Sequence, residues 1–92
     1  MEEYKGRLVL SAAGRDKGKV MCVTDCEGEF LLLADGRKRR VQAPKRKKLK
    51  HIRLTDFAVY SGPKTNKAIR KYIYQETGDK AAGIRGDKET GR

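Results

Sequence analysis

Short apolar segments recur roughly every ten residues through the first two thirds of this chain, and turn-forming residues separate them. The segments are 7–13, 19–25, 29–34, 38–42 and 49–54. Segments of this length and spacing are typical of short β-strands in a small barrel or sandwich. The first segment is apolar at both odd and even positions, so both faces of that strand should be covered. We therefore expect a small five-stranded barrel with another element packed on its outside.

The third and fourth segments are separated by Asp35-Gly36, a dipeptide typical of a two-residue β-hairpin turn. It predicts that 38–42 is a strand paired directly with 29–34. Alternation along such a strand would divide its basic side chains between two faces. Pro44 should then interrupt the pairing, because proline has no backbone N–H.

The segment 65–78 has the signals of a helix of about three turns, with Thr65 or Asn66 as the N-cap and Gly78 at the C-terminus. Apolar residues at positions i, i+3 and i+4 form one face of it, which should cover the first strand. Residues 79–92 are polar and nearly free of large apolar side chains, which predicts a flexible tail. The expected organisation is a barrel over 1–60, a helical extension over 61–78 and a tail over 79–92.

The positive charge is concentrated in one short segment. The chain has a formal net charge of +11, and residues 37–53 alone carry ten Lys/Arg and no acid, whereas 1–36 sum to −2 and 54–92 to +3. Such an excess predicts a polyanionic partner, most often nucleic acid. A solvated like-charge run is the alternative. Apolar residues interrupt the run, however, and could anchor its backbone: Val41, Leu49, Ile52 and Leu54.

The sequence lacks the residues that several classes of function require. No apolar stretch is long enough to cross a membrane, and the first residues are acidic where a signal peptide would be basic, so we expect a soluble, cytoplasmic protein. Cys22, Cys26 and His51 are too few for a four-ligand zinc site, and we expect reduced thiols. With no catalytic constellation, we expect neither an enzyme nor a cofactor.

Residues 6–23 (GRLVLSAAGRDKGKVMCV) resemble the KOW motif, in which two strands and a glycine-bounded basic loop open an SH3-like barrel. Gly18 stands at the characteristic glycine of that motif. Four segments within roughly 5–56 are similar to the fourteenth large-subunit ribosomal protein family of archaea and eukaryotes: 12–18, 30–36, 38–41 and 49–52. Residues 65–92 depart from the pattern of that family. The resemblance implies a mainly β, five-stranded SH3-like (KOW) barrel with a C-terminal helix, which binds ribosomal RNA as a ribosome-associated protein of translation.

Charge and resemblance together assign the RNA contacts to the glycine-bounded loop and the basic segment. The candidate residues are Arg15, Lys17, Lys19, Arg37, Lys38, Arg39, Arg40, Lys45, Arg46, Lys47, Lys48, Lys50 and Arg53. Because no aromatic residue lies within 37–53, recognition should depend on phosphates and RNA shape. The expected partners are ribosomal RNA and ribosomal proteins, bound by a monomer. Two alternatives remain: a transcription-related KOW adaptor, and a protein-interaction module that docks an acidic partner.

Overall fold

The computed structural model describes residues 2–78 of the chain. Five antiparallel strands form one curled sheet in the order β4-β3-β2-β1-β5. The elements are a 3₁₀ turn Glu2–Tyr4, β1 Leu8–Ser11, β2 Val20–Glu27, β3 Phe30–Ala34, β4 Lys45–Lys48, a 3₁₀ turn Leu49–His51, β5 Ile52–Leu54 and helix α1 Asn66–Thr77. The predicted mainly β, five-stranded SH3-like fold with a C-terminal helix is confirmed. The predicted tail, 79–92, lies outside the described residues.

Strand β2 lies between β1 and β3 and contains a bulge. Its residues 20–22 pair with β1 and 22–27 with β3, so Cys22 lies opposite both Leu8 and Ala34. Thr24 is the extra residue of the bulge, and its hydroxyl donates to the Leu32 carbonyl at 3.2 Å. A bulge increases the local twist of a strand. The twist therefore lets a sheet of short strands curl around a core.

Two apolar clusters lie on opposite faces of the sheet, as the first segment's apolar positions predicted. The interior cluster consists of Val9, Met21, Val23, Leu31, Leu33 and Ile52. The outer cluster lies beneath α1 and consists of Leu8, Val20, Cys22, Ile69 and Ile73. Leu10 and Tyr72 pack at its edge. The helix covers the first strand, and this prediction is confirmed.

Both ends of α1 carry the predicted caps. The Thr65 side chain accepts a hydrogen bond from the Ala68 amide at 3.2 Å. Gly78 adopts the left-handed conformation at φ 75°, and its amide donates to the Tyr74 carbonyl at 2.7 Å. These contacts satisfy backbone groups that have no partner within the helix.

The predicted strand at 38–42 and its two-residue hairpin turn are wrong. Residues 35–44 form a longer loop, and the fourth strand is the basic segment after Pro44, with Lys45 opposite Leu33. The Asp35 carboxylate folds the loop back by accepting from the amides of Arg37 and Arg39 at 2.8 and 3.0 Å. The predicted fifth strand, 49–54, is also shorter than expected, because a 3₁₀ turn occupies its first three residues.

Both cysteines lie on β2 as reduced thiols. Burial raises the pKa of Cys22 to about 12, although the charge of Lys64 opposes the shift. Cys26 is partly buried, and burial raises its pKa as well. Raised pKa values mean that neither sulfur is an activated thiolate at neutral pH.

Candidate nucleic-acid interface

A cleft of about 360 Å³ opens where the β1–β2 loop meets the β3–β4 loop. Five basic residues from these loops and from the start of β4 line it: Arg15, Lys19, Lys38, Arg39 and Lys45. Met21 and two acids, Asp16 and Asp35, complete the lining. Five cations and two carboxylates leave a charge of +3 in this small volume. The fold thus brings together residues from both segments that the sequence analysis selected.

Both acids of the cleft direct their carboxylates into the protein. Asp35 is 2 % exposed and accepts the two loop amides described above. Asp16 is 8 % exposed and accepts from the Ser11 hydroxyl at 2.8 Å, and its Oδ1 lies 3.3 Å from the Lys47 ammonium. Because these carboxylates already have partners inside the protein, the accessible rim of the cleft is basic.

The β1–β2 loop is a compact turn built on two glycines. Gly14 and Gly18 have φ values of 85° and 90°, which side chains rarely adopt. The Gly18 amide donates to the Ser11 carbonyl at 2.8 Å and closes the loop. The turn leaves Arg15 and Lys17 exposed and Lys19 partly exposed. Of these three predicted RNA contacts, Arg15 and Lys19 reach the cleft.

Lys47, predicted to contact RNA, points into the protein. Its side chain is 7 % exposed, and its ammonium donates to the Ala13 carbonyl at 2.6 Å besides its ion pair with Asp16. Burial alone would raise the pKa of Asp16, but hydrogen bonds from Ser11 and Lys47 and the Lys47 charge outweigh it and lower the pKa. Lys47 therefore ties β4 to the β1–β2 loop. With these contacts, Lys47 is not part of the candidate interface.

Helix α1 holds the other loop of the cleft in place. The Arg70 guanidinium donates to the Gly36 carbonyl at 2.9 Å, and the Asn66 side chain accepts from the Val41 amide at 2.7 Å. Gly36 is required here, since its φ is 79° and an added Cβ would lie 2.2 Å from the Asn66 carbonyl oxygen. This supporting role of Asn66 and Arg70 was not predicted from the sequence. No local pattern indicates a contact across more than twenty residues.

The remaining predicted residues lie outside the cleft lining. Arg46 and Lys48 extend over the Phe30 ring, at 4.4 and 5.8 Å from its centroid. Arg46 also lies 3.7 Å from the Glu27 carboxylate. The other five are exposed on loops or on β5: Lys17, Arg37, Arg40, Lys50 and Arg53. The thirteen candidates thus divide into five at the cleft, one buried, two over Phe30 and five elsewhere on the surface.

No family model matches the chain, and no curated protein is similar to it. The family membership implied by the resemblance therefore stays a prediction. Within residues 2–78, no three histidine, cysteine or acidic side chains are grouped as metal ligands would be. In the same part of the chain, no helix is long and apolar enough to cross a membrane.

Proposed function

We propose that this protein binds structured RNA, above all ribosomal RNA, in the basic cleft between its two loops. The observation that carries the proposal is the convergence of five basic residues on one cleft whose two acids are turned inward. A polyanion bound there would meet cations from two separate segments of the chain, 15–19 and 38–45. Such convergence of cations distinguishes a binding surface from a solvated charge run.

Recognition in the cleft would be directed at phosphates. The lining contains two arginines, whose planar guanidinium groups can bind a phosphate through two hydrogen bonds, and three lysines, which act as point charges. Among residues 2–78, no aromatic side chain lines the cleft as a platform for base stacking. Phosphate contacts position a protein on RNA without reading its sequence. The shape of a folded RNA would then select the site.

The resemblance to the KOW motif and to a ribosomal protein family supports the ribosomal assignment. In this proposal the protein is a cytoplasmic, ribosome-associated monomer without a cofactor. Ribosomal RNA is its main ligand, and neighbouring ribosomal proteins are further contacts.

A salt titration of RNA binding tests the electrostatic part of the proposal. If the five cleft cations each neutralise one phosphate, log K should fall with log salt at a slope of about −3.5 for single strands to −4.5 for a duplex. Arg39→Gln should make the slope shallower by about 0.7–0.9. Arg53→Gln is the matched control, because Arg53 is exposed on β5 outside the cleft. A slope near zero, or equal effects of both substitutions, would contradict the cleft as the binding surface.

Sedimentation of tagged protein from a lysate, with and without RNase, tests the ribosomal part. We expect co-migration with ribosomal particles, and crosslinks confined to a compact region of ribosomal RNA. Capture of an acidic protein by a wild-type chain that carries no RNA would favour the protein-interaction module. Crosslinks to nascent transcripts would favour the transcription-related adaptor.

A further inference from the structure

A second basic depression, of about 310 Å³, lies beside the solvent-facing side of α1. Four helix residues and one residue of the β3–β4 loop line it: Lys67, Arg70, Lys71, Tyr74 and Arg37. The helix residues follow the spacing i, i+3, i+4 and i+7, which places them on one face. Ile69 and Ile73 are buried on the other side of the helix. This face therefore belongs to the surface and not to the core.

Tyr74 differs from Tyr60 and from Tyr72, another residue of α1, which both pack against the outer cluster. Tyr60 and Tyr72 lie with ring centroids 4.9 Å apart, and their hydroxyls donate to backbone carbonyls. Tyr74 is 42 % exposed and lies among basic residues. The aliphatic parts of the neighbouring lysine and arginine side chains, together with the Tyr74 ring, form apolar surface beneath the charged groups. An aromatic ring bordered by cations suits a ligand that is flat and carries negative charge.

We infer that this face of α1 and Arg37 form a second RNA-contact site, which binds an unpaired nucleotide with its base stacked on Tyr74. The adjoining phosphates would contact Arg37, Lys67 and Lys71, all of which are exposed. Arg70 is partly buried and bound to Gly36, so it supports the site from below. The inference rests on the proposed function, because the unpaired nucleotide belongs to the RNA held in the cleft.

The two sites are lined by neighbouring residues of the β3–β4 loop. Arg37 lines the second depression, and Lys38, the next residue, lines the cleft. Consecutive Cα atoms are about 3.8 Å apart, so an RNA strand that leaves the cleft along this loop would come to the Tyr74 face. Paired bases hide their faces within a helix, whereas an unpaired base can leave its stack and lie on an aromatic ring. We therefore expect the ligand at Tyr74 to be an unpaired nucleotide next to a structured region.

Binding of three matched RNAs tests the inference. The probes are a blunt hairpin, the same hairpin with a short single-stranded extension, and that extension made of abasic nucleotides. Wild-type protein should bind the extended hairpin tightest. Tyr74→Ala should weaken that binding by about 5- to 150-fold, the range expected for loss of one stacked base. It should change binding of the other two RNAs by less than about twofold. Gln75→Ala, at an exposed neighbouring position on α1, is the control and should bind all three as the wild type does.

Tyr74→Trp gives an independent readout, because the chain contains no tryptophan. This variant should retain tight binding, and base stacking should quench its fluorescence with the extended hairpin but not with the abasic probe. Equal weakening of all three RNAs by Tyr74→Ala, or no effect on any, would overturn the inference while leaving the cleft proposal intact. A wild-type protein that binds none of the three would overturn both.

Discussion

Replacing Lys47 with methionine should destabilise the protein strongly, although Lys47 is one of four consecutive basic residues. Its ammonium lies 3.3 Å from Asp16 Oδ1 and donates to the Ala13 carbonyl at 2.6 Å. Methionine keeps much of the side-chain volume but removes the charge. Lys47→Met thus leaves the carboxylate of Asp16 buried, with the Ser11 hydroxyl as its remaining side-chain donor among those described.

The burial of both partners sets the magnitude of this loss. The side chains of Lys47 and Asp16 are 7 % and 10 % exposed, so solvent screens the pair weakly. Removing one partner of a buried ion pair costs about 3–5 kcal/mol. A chain of this length is expected to have a total stability of about 5–14 kcal/mol. In a domain of this size the loss corresponds to a fall in Tm of roughly 12–40 °C.

Denaturant unfolding followed by circular dichroism measures the effect. Lys48→Met is the matched control, since Lys48 is the next residue on β4. Among the described side-chain interactions, its ammonium has only the Phe30 ring, whose centroid is 5.8 Å away. This substitution should cost about 0.5–1 kcal/mol. The double variant Asp16→Asn/Lys47→Met should lose less free energy of unfolding than the two single variants lose together. The difference should be about 0.5–3 kcal/mol. Equal losses for Lys47→Met and Lys48→Met, or additive single effects, would refute the proposed role of the pair.

Two further predictions concern the loops and acid stability. In thermal denaturation, Gly36→Ala should lower the free energy of unfolding more than Gly28→Ala does. Both glycines have a positive φ, which costs about 1–2 kcal/mol when the residue carries a side chain. Of the two, only Gly36 would place the added Cβ against backbone, 2.2 Å from the Asn66 carbonyl oxygen. The pKa of Asp16 is lower in the folded protein than in the unfolded chain. The ionised carboxylate therefore stabilises the fold above the unfolded pKa of about 3.9, and this stabilisation is lost as the pH falls through the folded pKa. Asp16→Asn should therefore flatten the loss of stability on acidification, as measured by denaturant unfolding at successive pH values.

The elements that the sequence predicted correctly are those whose signals are local and agree with one another. In α1, the Thr65 cap, the apolar face and Gly78 all indicate the same helix, and it forms with those bounds. In β1 the apolar residues on both faces indicated two covering layers, and both are present. Such agreement between independent local signals is what makes a segment predictable.

The loop 35–44 was mispredicted because side-chain contacts, some local and one distant, determine its shape. Asp35-Gly36 alone favours a tight hairpin, but the Asp35 carboxylate binds two loop amides, and Arg70 holds the Gly36 carbonyl from α1. Neither contact can be recognised from hairpin statistics. The same limit applies to Lys47, whose inward orientation depends on Asp16 from another loop. The basic stripe on α1 is different, since the i, i+3, i+4, i+7 spacing of its residues was visible in the sequence.

Under the proposed function, the location of RNA binding would depend on which acids are already paired rather than on the net charge of +11. In the first half of the chain, the Lys5 ammonium lies 2.8 Å from Glu2 Oε1 and 3.1 Å from Asp25 Oδ1. Hydrogen bonds to these two carboxylates raise the pKa of Lys5. At physiological ionic strength, exposed charges interact over about 8 Å, so paired acids elsewhere on the surface have little effect on a phosphate in the cleft. The affinity should then follow the cations within that distance. Neutralising Arg39 should accordingly matter more than adding an acid beside Lys5, although both changes alter the net charge by one unit.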